Sequence, residues 1–346
     1  MTDQQWDDLL RVMRGEILDP APIGFIIDCP WLPGWTGMSI LDYLAGERNW
    51  FEANRRVVER FPRVMFLPGF WSEYGMCTEP SAFGARCVFP ENEFPFPLKL
   101  TTESLEFGQL PTLVRPNPKQ DGFCPIVLKR MELLEREMAD MGHRHRFATC
   151  RGPLNIATYL VGHSEFLSAM AVNPDQVHEM LECVTGFLVD WLQYQKERFP
   201  SIEGMLVLDD IIGFVGGDDF DQFVMPYLKR IAAAFDAPVK MLHNDAMGKV
   251  TAKRLDEMGF NMFNFAFDIP LPEARELSGD SVVLLGNLPP RDVLAAGTPE
   301  DVFRETKAMV DSIEDKRRII YSVGGGMPPN VSTENIEAFI QAIDGI

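Results

Sequence analysis

This sequence of 346 residues has no apolar stretch that approaches the length of a membrane span, and it has no cluster of lysine and arginine. With 51 acidic against 32 basic side chains, the formal net charge is −19. Such an acidic chain does not attract phosphate backbones or anionic lipid surfaces. We therefore expect neither a nucleic acid nor a membrane as a partner.

The sequence also lacks paired cysteine motifs and the features of a secretory signal. Its first residues, MTDQQWDDLLRVMRGE, are acidic and amphipathic instead of a basic flank followed by an apolar run. Six cysteines are scattered without C-x-x-C spacing, which is typical of reduced thiols in a core. We expect a cytoplasmic protein with free thiols at Cys29, Cys77, Cys87, Cys124, Cys150 and Cys183.

No tandem repeat and no low-complexity linker divides the chain, so we expect residues 1–346 to form a single domain. Apolar strand-like runs alternate with longer helical patterns almost throughout. This alternation is typical of parallel βαβ units, and eight such units close into a barrel. The sequence therefore predicts a (β/α)8 TIM-type barrel. Its strands are expected within residues 23–28, 63–69, 146–152, 204–210, 239–245, 262–268, 282–287 and 318–325.

One region departs from the alternation. Residues 69–125 are rich in proline, glycine and phenylalanine, beginning GFWSEYGMCTEPSAFGARCVFPENEF. A loop this long inside a compact domain usually covers or lines a site. We expect it to fold as a lid over the C-terminal mouth of the barrel, with its aromatic side chains either packed within the lid or facing a flat or sugar-like ligand.

In a barrel of this type the functional site lies at the C-terminal ends of the strands. Polar and aromatic residues follow most of the predicted strands. They are Asp28, Trp71, Glu73, Arg151, Asp209, Asp210, His243, Asp245, Asp268, Asn287 and the glycines at 324–326.

His243 and Asp245 are two residues apart in VKMLHND, and strand alternation places both on the same face. They are either metal ligands or an acid/base pair, or His243 is an ordinary core histidine. Asp209 and Asp210 act in catalysis or cap the following loop. By contrast, His143 and His145 are flanked by arginines and predict a solvent-exposed connection.

Several ordered motifs together resemble the uroporphyrinogen decarboxylase superfamily, which contains porphyrin decarboxylases and zinc methyltransferases that work with corrinoid proteins. The resemblance runs from Arg151 to the C-terminus, with a weaker match at EPSAFGA. It implies the same barrel fold. The motifs are RGPLNIATYLVGHSEFL, LDDIIGF, FDQFVMPYLKRI, HNDAMG, LLGNLPP, GTPEDV and SVGGGMPPNVSTENIEAF.

The porphyrin decarboxylases of this superfamily clamp a carboxylate-rich substrate with an arginine-bearing motif near the N-terminus, similar to Met-Arg-Gln-Ala-Gly-Arg. This chain has no such stretch, and residues 63–80 are aromatic and acidic instead. Decarboxylation of a porphyrin-like or other carboxylated substrate is therefore the alternative function.

The methyltransferases of the superfamily bind zinc through a His-x-Cys pair and a second cysteine in the last glycine-rich turn. The matching positions here are His243-x-Asp245 and Gly324–Gly326, so both thiolates are missing. A histidine with carboxylates makes a harder, more Lewis-acidic site that polarises an oxygen. The resemblance thus implies zinc or another divalent metal at His243 and Asp245, with a methyl ether as the methyl donor.

The predicted activity is methyl transfer in a corrinoid-dependent O-demethylation, from a methoxylated aromatic or sugar. Either the metal or an acid, Asp210 or Glu73, activates the ether oxygen. The chain has no Asp-x-His-x-x-Gly signature of its own, so a separate corrinoid protein must carry the cobalamin. The sequence is also compatible with a homodimer. A non-catalytic binding protein on the same barrel is a further alternative. The expected catalytic residues are Asp210, Glu73 and Asp209, and the expected substrate-binding residues are Arg151, Asn287, Trp71 and Phe70.

Overall fold

A computed structural model of the protein describes residues 1–100 and 106–344. Each of the eight predicted runs corresponds to one strand, and a small antiparallel hairpin of β3 and β4 is added within the insertion. The strands are β1 (Gly24–Ile26), β2 (Met65–Leu67), β3 (Cys87–Val88), β4 (Phe96–Pro97), β5 (Phe147–Arg151), β6 (Gly204–Leu208), β7 (Val239–Asn244), β8 (Met262–Phe265), β9 (Val283–Leu288) and β10 (Ile319–Val323).

Helices connect the strands throughout, and short helical turns occupy Gly75–Cys77, Ile211–Phe214 and Pro290–Ala295. Gly162 separates the helix that ends at Val161 from the one that begins at His163, because its φ of +103° cannot continue an α-helix. The helices are α1 (Asp3–Met13), α2 (Leu32–Thr36), α3 (Ile40–Ala45), α4 (Glu47–Arg60), α5 (Thr78–Ala82), α6 (Cys124–Asp140), α7 (Pro153–Val161), α8 (His163–Val172), α9 (Pro174–Arg198), α10 (Gly217–Phe223), α11 (Met225–Ala234), α12 (Lys249–Ala252), α13 (Leu255–Met258), α14 (Leu271–Ser278), α15 (Pro299–Asp311) and α16 (Thr333–Asp344).

The eight strands other than β3 and β4 form the parallel barrel that the alternation predicts. Strands β5 to β10 make one sheet in chain order, and β1 pairs with β2. Parallel bridges from Ile23 to Tyr321 and from Ile26 to Gly326 join β1 to β10. Within the described residues, no strand ladder joins β2 to β5, and we call this gap the seam. The barrel is therefore hydrogen-bonded everywhere except at the seam.

Alternation along the strands separates an interior row from an exterior row. Val239 and Met241 of β7 and Leu206 and Leu208 of β6 belong to one buried cluster inside the barrel. The residues between them pack against the surrounding helices in a second cluster. Because parallel strands are covered on both faces, these strands are apolar on both sides until they reach the mouth.

Helix α1 closes the bottom of the barrel. Thr2 caps this helix through a capping box with Gln5, which satisfies the first backbone N–H groups. Trp6, Leu9 and Val12 lie one helical turn apart and join the interior cluster. The apolar face of this amphipathic helix thus packs into the core of the same domain.

The insertion has two parts with different neighbours. Its first part lies at the mouth, where Phe94 packs 5.7 Å from the Arg151 guanidinium carbon. Residues 106–123 instead run along α9, where the Leu110 N–H donates to Gln176 Oε1 at 2.9 Å and Arg115 pairs with Asp190. The lid prediction also covers residues 101–105, which lie outside the described residues, as do 345 and 346 of the predicted domain.

The expectation that His143 and His145 are exposed is wrong, since their exposed fractions are 8% and 3%. The Phe70 ring packs 5.6 Å from His143, and the Met1 amino group donates to the carbonyl of the intervening Arg144 at 3.1 Å. The His145 ring also packs 4.7 Å from Phe199. Burial lowers the pKa of His145 to about 3 and that of His143 to about 4. Both imidazoles are therefore neutral parts of the packed structure.

None of the helices within residues 1–100 and 106–344 combines the length and the hydropathy that a membrane-spanning segment needs.

Candidate active site

The interior rows of the strands become polar where they reach the mouth. On β7 the row Val239, Met241 continues to His243, and on β6 the row of Leu208 continues to Asp210. The parallel register places Leu208 beside His243. Asp210 follows Leu208 by two residues and therefore lies one step closer to the mouth than His243. Two neighbouring apolar rows thus end in ionisable groups.

These rows bring Asp210, His243 and Asp245 together as one group, which we call the triad. One ligand atom of each residue lies within 4.8 Å of the other two. His243 Nε2 lies 3.4 Å from Asp210 Oδ1 and 3.9 Å from Asp245 Oδ2. Two ligands of a tetrahedral zinc ion lie about 3.4 Å apart, so this spacing suits a small divalent cation. Asp210, which the sequence suggested as an acid, is thus the neighbour of both predicted metal ligands.

Asn264 holds the imidazole of His243 from behind. The two residues are direct partners in the β7–β8 register, and His243 Nδ1 lies 2.7 Å from Asn264 Oδ1. The Asn264 amide nitrogen donates to the carbonyls of Leu285 at 2.8 Å and Val323 at 3.3 Å, so its oxygen must face the ring. His243 Nδ1 therefore carries a proton, and Nε2 is the ring nitrogen that faces the carboxylates.

The backbone of the last glycine-rich turn leaves room for the third member of the triad. Gly325 has a φ of +104°, and a Cβ built there would lie 3.0 Å from Asp245 Oδ2. The Asp245 carboxylate therefore occupies the space beside the turn where the related methyltransferases are expected to place a cysteine. Asp245 also donates its backbone N–H to Asp210 Oδ1 at 3.2 Å, which orients that carboxylate.

Burial is the main cause of the raised pKa of Asp210. The neighbouring His243 acts in the opposite direction, and the negative charge of Asp245 raises the pKa further. Two carboxylates close together in a half-buried position repel each other unless a cation compensates them. A bound cation would therefore remove the repulsion between the two carboxylates of the triad.

A second group of charges lies across the mouth, at the ends of β1, β2 and β5. Arg151 donates to Glu73 Oε1 at 2.8 Å, and both side chains are almost fully buried. Burial raises the pKa of Glu73, the Arg151 guanidinium acts in the opposite direction, and the nearby Asp28 raises it further.

Tyr159 on α7 lies within range of both groups, because the charges of Arg151 and Asp210 both act on its hydroxyl. Burial raises its pKa to about 12, so it is a neutral hydrogen-bond donor. Tyr159 and Asn264 were not among the site residues predicted from the sequence. Tyr159 stands in the RGPLNIATY motif, and Asn264 interrupts an apolar strand on its inward side, which is the signal that could have identified it.

The remaining predicted residues lie outside the triad. The Asp209 carboxylate accepts the backbone N–H groups of Leu154 at 3.0 Å and Asn155 at 3.1 Å, so it caps α7 from a fully buried position. Phe70 packs in the core against Trp50 and Phe51.

Asn287 and Trp71 also lie outside the triad. The Asn287 amide nitrogen donates to the Ile269 carbonyl at 2.5 Å, which holds the loop after β8. Trp71 is half-buried and packs against the interior cluster. Its carbonyl accepts the indole N–H of Trp50 at 2.9 Å, so its backbone position is fixed. Asp268 is exposed on the loop beyond β8.

Comparison with protein families finds that the sequence model described as uroporphyrinogen decarboxylase (URO-D) matches residues 4–346. The uroporphyrinogen decarboxylase of Xylella fastidiosa is 24% identical over 366 residues, covering 97% of each chain. That of Homo sapiens is 26% identical over 205 residues, covering 55% of this chain and 54% of the human one.

Two solved structures share the fold. A methyltransferase from Methanosarcina mazei superposes with a TM-score of 0.77 at 18% identity, covering 97% of each chain. A B12-independent methionine synthase from Shewanella sp. W3-18-1 superposes with a TM-score of 0.57 at 11% identity, covering 93% of this chain and 95% of that one. At these identities the structures show a common architecture.

Proposed function

This chain belongs to the uroporphyrinogen decarboxylase family, and from that premise we propose that it is a methyltransferase of a corrinoid-dependent O-demethylation system. The proposed substrate is a methyl ether on an aromatic ring or a sugar. The methyl acceptor is cobalamin on a separate corrinoid protein. The observation that carries the proposal is the triad, in which His243 Nε2 faces the two carboxylates.

The residues of the triad fit a divalent cation by their chemistry. One neutral imidazole and two carboxylates are the donors that zinc and similar cations accept, and Asn264 supplies the outer hydrogen bond that metal-bound histidines usually make. The half-exposed Asp245 leaves the site open toward the mouth. We therefore assign Asp210, His243 and Asp245 as the metal ligands.

A divalent cation bound there would supply Lewis acidity toward the ether oxygen, which makes that oxygen a better leaving group. The chain's own residues would hold the cation, exclude water and donate a proton or a hydrogen bond to the departing oxygen. When the methyl group departs, the oxygen that remains gains negative charge and needs a proton or a hydrogen bond. The Tyr159 hydroxyl is a neutral donor near the triad.

The charges at the mouth favour a neutral substrate over a polycarboxylate. Among the inward strand-end residues described above, Arg151 is the one cation, and Glu73 already binds it. Asp28, Asp210 and Asp245 surround the same opening. A substrate with many carboxylates would meet this excess of negative charge without a free arginine to clamp it. Methoxylated aromatics and methyl sugars carry no such charge.

The proposal is tested with purified protein, zinc, free cob(I)alamin as the acceptor, and a set of methoxylated aromatics and methyl sugars. His243→Ala should lose most of its bound metal and its methyl transfer while keeping the melting temperature of the wild type. His178→Ala is the control, because His178 bonds Tyr227 at 2.7 Å on the outside of the barrel. This control should keep both metal and activity.

Asp245→Cys adds a second arm, since it restores the His-x-Cys pair of the related methyltransferases. A thiolate should bind zinc at least as tightly yet make it a weaker Lewis acid, so methyl transfer should fall while metal content does not. Wild-type demethylation by metal-free His243→Ala would refute the metal assignment. Decarboxylation of a porphyrinogen by the wild type, without methyl transfer, would favour the decarboxylase alternative. Ligand binding without any turnover would favour a binding protein.

A further inference from the structure

Two of the six cysteines lie next to each other in the insertion. Cys77 ends the helical turn Gly75–Cys77, and Cys87 begins β3. Both thiols are free, and Cys87 Sγ lies 4.0 Å from the Cys77 carbonyl oxygen. The two residues are ten positions apart and form no C-x-x-C motif. The fold therefore brings together two thiols that the sequence keeps separate.

Backbone contacts hold the turn of Cys77 against the hairpin of β3 and β4. The Met76 N–H donates to the Pro95 carbonyl at 3.0 Å. Across the hairpin, Cys87 is the register partner of Pro97, which follows Pro95 by two residues. The neighbourhood of the two thiols thus depends on main-chain contacts as well as on their side chains.

The two thiols differ in exposure and in acidity. Cys77 is fully buried, whereas Cys87 is half-buried. A hydrogen bond with Cys77 lowers the pKa of Cys87, and burial acts in the opposite direction. The same hydrogen bond raises the pKa of Cys77, and burial raises it further. Because the thiolate is the reactive form of cysteine, Cys87 is suited to be the nucleophile and Cys77 the proton donor beside it.

The other cysteines lack this combination. Cys29, Cys124 and Cys150 lie in the apolar core, and burial raises the pKa of each thiol well above its usual range. Cys183 on α9 is half-buried, and burial raises its pKa as well. All six cysteines lie within the described residues, and Cys87 is the one whose pKa is lowered.

We propose that Cys77 and Cys87 form an oxidant-sensitive site that closes to a disulfide when the protein meets hydrogen peroxide. The Cys87 thiolate attacks one peroxide oxygen, the O–O bond breaks, and the departing hydroxide takes a proton and leaves as water. The Cys77 sulfur then attacks the sulfur of the resulting Cys87 sulfenic acid, the S–O bond breaks, and a second water leaves. Two thiols and one peroxide thus give one disulfide and two waters, and a dithiol reduces the bond again.

The site lies beside the charged groups of the mouth. The Gly75 carbonyl accepts Arg151 Nη2 at 3.4 Å, and Glu79 Oε1 accepts the Arg151 N–H at 3.0 Å. Cys77 is two residues from each of them along the chain. Phe94, between β3 and β4, packs over the same guanidinium. The disulfide therefore ties together two segments that both contact Arg151. This inference rests on the insertion alone and does not depend on the proposed methyl transfer.

Peptide mapping of the purified full chain tests the pair after brief treatment with hydrogen peroxide and alkylation in denaturant. Trypsin cuts after Arg86, so Cys77 and Cys87 fall in separate peptides, residues 64–86 and 87–99. We expect these peptides as one linked species that dithiothreitol separates, with a fall from six to four free thiols per chain. Absence of the linked species would overturn the proposal, and so would Cys87 joined to another cysteine or oxidised to a sulfinic acid beside an alkylated Cys77.

Cysteine-to-serine variants separate this pair from unselective oxidation. Cys87→Ser and Cys77→Ser should each lose the linked species, and in Cys77→Ser the Cys87 thiol should instead proceed to the sulfinic acid. Cys183→Ser is the matched control, because Cys183 is the other half-buried cysteine, and it should keep the linked species. Loss of the link in the control would contradict the assignment. If the buried Cys77→Ser variant does not fold, Cys87→Ser and the wild-type map decide.

Discussion

Asn264 and His243 lie side by side on neighbouring strands, and the 2.7 Å bond between Asn264 Oδ1 and His243 Nδ1 determines which imidazole nitrogen faces the mouth. The Asn264 amide nitrogen is held by two carbonyls, so its side chain cannot turn over without losing both bonds. A metal ligand needs such an outer partner to fix its tautomer and its orientation.

Asn264→Ala should therefore lower the affinity of the triad for zinc by about 10–100-fold. The imidazole would then be free to rotate and to protonate at either nitrogen. Competition with a chelating dye measures the affinity. Asn335→Ala is the control, because Asn335 is also buried and bonds the carbonyls of Leu294 and Gly297, neither of which belongs to the triad. Equal affinities for the two variants would show that Asn264 has no role at the site.

Asp209 and Asp210 are adjacent in sequence, and their substitution by asparagine should separate stability from metal binding. Asp209→Asn places an amide against the N–H groups that start α7 and should cost about 1–3 kcal/mol in the free energy of unfolding. Asp210→Asn should lose metal but not stability, since burial already disfavours its charge. Urea denaturation and metal analysis of both proteins measure the contrast. The opposite pattern would reverse the roles assigned to them.

Gly325→Ala should weaken metal binding, because the new methyl group would lie 3.0 Å from the Asp245 carboxylate in a backbone region that L-residues avoid. Gly279→Ala has the same kind of strain at a φ of +74°, but no atom lies within 4 Å of its Cβ. Both variants should lose about 1–3 kcal/mol of stability. Only Gly325→Ala should also lose zinc affinity in the dye competition, and an equal loss in Gly279→Ala would mean that strain alone is responsible.

Acid should destabilise the protein through His145. Its folded-state pKa of about 3 lies below the value of about 6.5 in an unfolded chain, so between these pH values the unfolded state binds a proton that the folded state does not. Stability is therefore fully present above about pH 6.5 and is lost as the pH falls toward 3. His145→Phe should reduce the loss between pH 6.5 and 4.5 by roughly 2–3 kcal/mol. Urea denaturation at the two pH values measures it, and parallel losses in both proteins would contradict it.

Residue patterns were sufficient for the architecture. Strand-like runs that alternate with helices predict a parallel barrel, because both faces of such strands must be covered by helices. The same alternation placed His243 and Asp245 on one face, which the structure confirms. The pattern left open which of Asp209 and Asp210 has a structural role, because it does not show that the Asp209 carboxylate accepts the backbone N–H groups that begin α7.

The barrel, its strands and the positions where polar residues reach the mouth follow from sequence patterns alone, since they depend on short-range periodicity. Which of those residues meet depends on the packing of distant segments. The register of β6, β7 and β8 brings Asp210 and Asn264 to His243, and contacts with Phe70 and Phe199 pack His143 and His145 into the structure. The contact of Cys77 with Cys87 also depends on the tertiary fold, because the two residues belong to different elements of the insertion. Contacts between distant segments depend on how the core packs, and local sequence patterns do not predict that packing.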